Sequence, residues 1–153
     1  MRLTDHLPLS LVKVPLDSRD KAGAIAELVD LLAENGITRD RDSLLAAVME
    51  RERARTTGIG RGFAIPHAKC DCVSQLVIAL GRAPQPIDFA AIDGQPVQLI
   101  ALLASPTRAT SAHIQALAKL SRLVTNATVW QEILGATTAA DLHRIISEND
   151  VDT

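Results

Sequence analysis

Arg51-Glu52-Arg53-Ala54-Arg55-Thr56-Thr57-Gly58-Ile59-Gly60-Arg61-Gly62-Phe63-Ala64-Ile65-Pro66-His67 carries the change of architecture in this chain. A charged helix end runs into a glycine-spaced turn, a short apolar strand follows, and a histidine stands directly after a proline. Upstream the period is helical. Ile25, Leu28, Val29 and Leu32 repeat on one face after Asp17-Ser18-Arg19-Asp20 and stop at Asn35-Gly36, and a second helix starts between Asp40 and Ser43, carries Leu44, Leu45, Val48 and Met49, and ends near Arg55. Downstream, residues 63–65, 76–80, 87–89 and 97–104 form short apolar or alternating runs bounded by Gly or Pro, as strands do. Pro84 and Pro86 put the 87–89 segment at an edge or a turn. From Ser111 the helical period returns with Ile114, Leu117, Leu120 and Val124, and Thr128-x-x-Gln131 and Thr138-x-x-Asp141 read as capping boxes of later helices. Helices, then strands, then helices predict an α/β fold of the layered α+β kind, a mixed β-sheet flanked by helices, rather than a βαβ repeat.

The 153 residues fit one domain spanning 1–153, with an N-terminal segment over 1–17 and a frayed tail over 148–153. Phe63, Phe89 and Trp130 are the only aromatic residues, so the core must be aliphatic and base stacking on nucleic acid is poorly served. Sixteen basic against eighteen acidic residues give a formal charge of −2, which disfavours a generic polyanion binder. Any anion recognition is therefore local. The opening Met1-Arg2-Leu3-Thr4-Asp5-His6 has no apolar signal region, and the apolar run 99–104 is too short to cross a bilayer, so neither nucleic-acid binding nor membrane insertion is expected. With two cysteines one residue apart, a cytoplasmic location with reduced thiols is expected.

Extending the apolar stripe of the second helix by three and four residues lands on Arg51, Glu52 and Arg55. Charges there face the interior and need partners, although arginines also suit the negative end of any helix. Thr57, Gly58, Gly60 and Gly62 are candidate binding positions, since a turn of this kind can offer amide N–H groups to a phosphate. The turn lacks the Gly-Lys-Ser/Thr ending of a P-loop and the strand-first order of a dinucleotide fingerprint, and most turns of this length are only structural. Pro66 ends a strand and presents His67 at a sheet end. Neutral imidazole can attack phosphorus and pass the group on, although a lone histidine is more often an ordinary one. His113, in the first turn of the helix after the strongest apolar strand, sits where the helix dipole attracts anions. His6 and His143 have no comparable setting. A rival arrangement, zinc on His67, Cys70, Cys72 and His113, is disfavoured because Cys-x-Cys is not the usual knuckle spacing.

Taken together, Arg51-Glu52, Thr57-Gly58-Ile59-Gly60-x-Gly62-x-Ala64-Ile65-Pro66-His67, Ala91-Ile92-Asp93-Gly94-Gln95-Pro96-Val97 and His113-Ile114-x-x-Leu117-x-x-Leu120-Ser121 resemble the EIIA type-2 domain of the bacterial phosphoenolpyruvate-dependent phosphotransferase system. This is the fructose/mannitol and nitrogen-regulatory class. The resemblance implies a phosphoryl-accepting His67, an assisting His113, and an Arg51 that steadies phosphoryl charge, with no cofactor and no metal. It implies an HPr-like phosphocarrier protein as donor and an EIIB domain or a regulatory target protein as receiver. The 153 residues hold no EIIB or EIIC segment and the 91–97 region is nearest the nitrogen type, so the expected role leans to regulation, with the sugar-specific role as alternative. A binding module that has kept the fold without turnover is the alternative of another class. Ala68 stands where the family often has glycine, and Phe63 where it often has an aliphatic residue.

Overall fold

The computed structural model describes residues 1–150. Its elements are β1 (Val12–Lys13), α1 (Lys21–Glu34), α2 (Arg41–Ala54), β2 (Gly58–Gly60), β3 (Phe63–Ala64), β4 (His67–Lys69), β5 (Val77–Ile87), β6 (Val97–Ser105), α3 (Thr110–Arg122), α4 (Ala127–Gly135) and α5 (Ala139–Glu148). The first two helices occupy the spans their period and caps predict. Asp20 accepts from the Gly23 amide and Asp40 from the Ser43 amide, each satisfying a donor that the first turn leaves free. Beyond α1, Gly36 takes a φ of 70°, the left-handed stop that glycine allows.

One mixed sheet in the order β1-β5-β6-β3-β2, with β4 also on β6, forms the centre and helices flank it. The axis is β6, with eight of its nine residues buried because both its edges and both its faces are covered. β5 runs antiparallel to it on one edge. On the other edge β3 and β4 lie end to end and parallel to it, Phe63 opposite Leu99 and His67 opposite Leu103. Pro66 lies between them. It has no N–H for a ladder, but its carbonyl accepts from the Leu103 amide at 3.0 Å, so the chain stays on β6 while the pairing restarts. His67 therefore opens a strand rather than closing one, a correction to the sequence expectation.

Other differences have local causes. The run expected as a separate strand over 87–89 is in part the end of an eleven-residue β5 that passes through Pro84 and Pro86. The β5–β6 register shifts between Arg82 and Ile87, so the prolines sit where the regular ladder is interrupted. Helix α4 is capped by Asn126, which accepts from the Val129 amide, two residues before the expected Thr128, whereas α5 is capped by Thr138 as read. Of the tail expected to fray over 148–153, Glu148 completes α5 and buried Asp150 accepts from the Thr4 amide at 2.9 Å; residues 151–153 lie outside the described residues. The segment 1–17 is part of the core, with Leu3, Leu7, Leu11 and Leu16 buried, each such side chain being worth about 2 kcal/mol. His6 and His143 bond the carbonyls of Leu76 and Leu7. Phe63 packs on Trp130 at 5.3 Å, and the indole N–H donates to the Arg61 carbonyl, so the Phe63 departure is matched by an aromatic partner on α4. Among the described residues no helix is long and apolar enough to cross a membrane.

Candidate functional site

His67 and His113 come together although 46 positions separate them in the chain, because β4 lies beside the end of β6 and α3 starts just beyond it. Their ring centroids are 5.5 Å apart at an interplanar angle of 64°. Arg51, on the last turn of α2, joins them: Arg51, His67, His113, Lys69, Glu50 and Leu117 line a hollow of about 590 Å³. A smaller adjoining groove shares Arg51, His67 and Leu117 and is bordered by Thr57, Gly58, Ile59 and Ile92.

Backbone geometry sets the chemistry of His67. Its Nδ1 lies 2.8 Å from the carbonyl oxygen of Ile65. A carbonyl only accepts, so Nδ1 carries the hydrogen and the lone pair of the neutral ring is on Nε2. Burial lowers the His67 pKa and Arg51 lowers it further, against the opposing effects of the Ile65 carbonyl and of Glu52. The ring is thus neutral at pH 7. His113 is 4% exposed and its pKa is pushed down to about 4, chiefly by burial and then by the charges of His67 and Lys69. Its Nδ1 lies 2.6 Å from Oγ of Ser105, a fully buried hydroxyl at the end of β6. Sequence reasoning missed Ser105, since nothing marks one serine at the end of an apolar run.

Glu52 explains the charges on the inner face of α2. It is buried, pairs with Lys21 of α1 at 2.6 Å, and accepts from the amide (3.0 Å) and hydroxyl (2.5 Å) of Thr57. Arg51 is half-buried and donates to the Arg55 carbonyl, while Arg55 is exposed.

Of the candidate binding positions, Thr57 and Gly58 border the groove beside His67, and several amides of the turn have partners within the protein. The Thr57 amide is held by Glu52, the Gly58 amide donates to Oγ1 of Thr56, and the Arg61 amide donates to Asp93. Gly60, the last residue of β2, and Gly62, in the turn that follows, take φ of 103° and 86° and line neither hollow. Gly58 is needed for contact: a Cβ there would fall 2.8 Å from the Ala91 Cβ and 3.0 Å from its Cα. Backbone conformation at Gly60 and Gly62 and close packing at Gly58 require glycine at these positions.

Cys70 and Cys72 form a disulfide, where reduced thiols were expected. A turn in which the Val73 amide donates to the Cys70 carbonyl brings their Cα atoms to 5.2 Å. Both sulfurs are thereby committed to each other, and among the described residues no group of three or more His, Cys, Asp or Glu side chains is placed to hold a metal ion. Asp71 between them accepts from the amide and hydroxyl of Thr107, bracing the loop that leads into α3 and His113.

Comparison with known proteins gives one consistent picture. Residues 5–149 match the family model described as phosphoenolpyruvate-dependent sugar phosphotransferase system, EIIA 2. The fructose-specific EIIA component of Haloferax volcanii is 37% identical over 141 residues, covering 92% of each chain. The fructose-specific EIIABC component of Bacillus subtilis is 34% identical over 150 residues; the match takes in 98% of this chain and only 24% of that protein. Among solved structures, the nitrogen regulatory protein IIA-Ntr of Neisseria meningitidis superimposes with a TM-score of 0.86 at 30% identity, covering 93% of this chain and 97% of that one.

Proposed function

Since this chain belongs to the EIIA type-2 family of the phosphoenolpyruvate-dependent sugar phosphotransferase system, we propose that it is a histidine phosphocarrier whose acceptor atom is Nε2 of His67. The observation that carries this is the bond from Nδ1 to the Ile65 carbonyl, which leaves Nε2 as the nucleophilic nitrogen of a neutral ring. The Nε2 lone pair attacks the phosphorus of a phosphohistidine on an HPr-like donor. The new N–P bond forms as the donor's N–P bond breaks, and the donor ring leaves with the electron pair. The positive charge that develops on the His67 ring is met at Nδ1–H by the Ile65 carbonyl. Arg51 offsets the negative charge on the phosphoryl oxygens. A hydrogen bond from the Ser105 hydroxyl to Nδ1 of His113 sets His113 with its hydrogen on Nε2, so that it can donate to the same oxygens.

The rim supports a protein partner. Ile59, Ile92 and Ile114 are 37%, 72% and 61% exposed, Ile59 and Ile92 border the groove beside His67, and Ile114 follows His113. Apolar side chains around a polar centre suit a docked protein better than a small free substrate.

For the receiver, the 37% identity to a fructose-specific EIIA favours an EIIB domain, and the 0.86 superposition on a nitrogen regulatory protein favours a regulatory target. Chasing labelled protein with EIIB separates them: rapid loss of label indicates relay, and retention indicates regulation. The carrier itself is tested by incubation with phosphoenolpyruvate, enzyme I and HPr. Wild type becomes labelled and His67→Ala does not. Equal labelling of the two would refute the assignment of His67, and label that never exceeds background with any donor would favour a binding module without turnover.

A further inference from the structure

Among the described residues the carboxylate of Glu52 is the one acidic group buried beneath the site, and the transfer scheme leaves it without a task. Its oxygens have specific neighbours. Oε1 meets the Lys21 ammonium and the Thr57 amide, and Oε2 meets the Thr57 hydroxyl. The same ammonium lies 3.4 Å from the Phe89 carbonyl and 5.2 Å from the centre of the Phe89 ring. That carbonyl accepts from the hydroxyl of Thr56 at 2.6 Å. Both threonines at the entry to β2 are thus tied to one node between α1 and α2.

From that node a chain of bonds reaches the acceptor histidine. The Thr57 carbonyl accepts from the Ile65 amide at 3.1 Å, and the Ile65 carbonyl accepts from Nδ1 of His67 at 2.8 Å. The aim of the Ile65 carbonyl decides whether Nδ1 has an acceptor, and the bond from the Ile65 amide to the Thr57 carbonyl anchors the same residue through the neighbouring peptide group, on the other side of its Cα. A histidine side chain free in water favours the opposite tautomer, with hydrogen on Nε2, so something must hold the nucleophilic form. A buried ion pair is seldom more stabilising than an apolar contact of the same size, but it fixes geometry more narrowly.

We propose that Glu52 is a positioning residue, held by Lys21, that selects the Nδ1–H tautomer of His67 through Thr57 and the Ile65 carbonyl. The consequence for transfer rests on His67 being the phosphoryl acceptor; the tautomer itself does not. With Glu52 removed, the 57–65 pairing loosens, the Ile65 carbonyl is no longer aimed, and part of the population moves its hydrogen to Nε2, where no lone pair remains for attack. The rate then falls with the fraction of competent tautomer.

Ring-¹⁵N-labelled histidine in the full chain tests this, because each ring nitrogen reports its own protonation by NMR. At neutral pH wild type should show a protonated Nδ1 and an unprotonated Nε2 on His67. Glu52→Gln and Thr57→Val should show a mixture, with labelling from HPr slowed in the same proportion at saturating donor. Thr57→Ser, which keeps the hydroxyl and the amide, should restore the wild-type tautomer. If Glu52→Gln does not fold, the contrast of Thr57→Val with Thr57→Ser makes the same test. An unchanged Nδ1–H signal in the variants overturns the proposal even if transfer slows, because Glu52 would then act on the fold alone. If wild type shows the Nδ1–H form but takes no label, the phosphocarrier reading fails while the tautomer result stands.

Discussion

Ser105 and His113 face each other inside the protein, with Oγ 2.6 Å from Nδ1 and neither side chain open to solvent to any extent that matters. The contact joins the end of the central strand to the first turn of α3. Replacing the serine by alanine leaves a buried ring nitrogen without its partner, and such groups cost about 1–3 kcal/mol. Ser105→Ala is therefore expected to lower stability in urea titration by that order. It should also slow phosphoryl uptake with little change in the KM for HPr, because the tautomer of His113 is no longer set.

The buried His113 also predicts a pH dependence. Its pKa is near 4 in the fold against 6.5 when unperturbed, so between those values the unfolded chain binds the extra proton and the native state does not. Stability is then full above the unfolded value and is lost as pH falls from 6.5 towards 4. The whole effect is on the order of 3 kcal/mol, from the free-energy equivalent of each pH unit. Urea midpoints from pH 7 downward should decline in wild type and decline less in His113→Gln.

Arg51 brings a guanidinium to the hollow that holds both imidazoles. Loss of one donor to developing phosphoryl charge costs about 100-fold in rate. Arg51→Ala should show a loss of that order in single-turnover labelling, and Arg51→Lys should recover only part of it because an ammonium cannot reproduce the fork of the guanidinium. A rate within twofold of wild type in Arg51→Ala would remove Arg51 from the mechanism.

Much of this architecture is legible in the residues. Helices α1 and α2 follow from apolar spacing and from Asp20 and Asp40 at their starts, and the core is aliphatic as composition demands. Strand β5 was cut short in the sequence because Pro84 and Pro86 forbid regular pairing, and only the register shift to β6 shows how the strand passes them. Within the site, Arg51 and Glu52 stand out as charges on an apolar stripe, yet the partner of Glu52 is Lys21, thirty-one positions earlier and on another helix. Pairing across that distance leaves no local pattern. The glycines are ambiguous for a related reason: a positive φ or a neighbour such as Ala91 needs glycine as much as an anion does.

Gly58 offers a direct check of that last point. Alanine there would bring its Cβ to 2.8 Å from Ala91, against backbone that cannot easily withdraw. Overpacking of this kind costs about 1–3 kcal/mol. Gly58→Ala should be less stable by that amount in chemical denaturation. If Gly58 served anion binding alone, stability would be unchanged.

The most direct measurement is the identity of the nitrogen that carries phosphate. Protein with ¹⁵N-labelled histidine rings, charged by phosphoenolpyruvate, enzyme I and HPr, can be examined by NMR for nitrogen–phosphorus coupling. A single phosphoryl group on Nε2 of His67, with Nδ1 still protonated, is the predicted result. Phosphate on Nδ1 of His67, or on His113, would contradict the account.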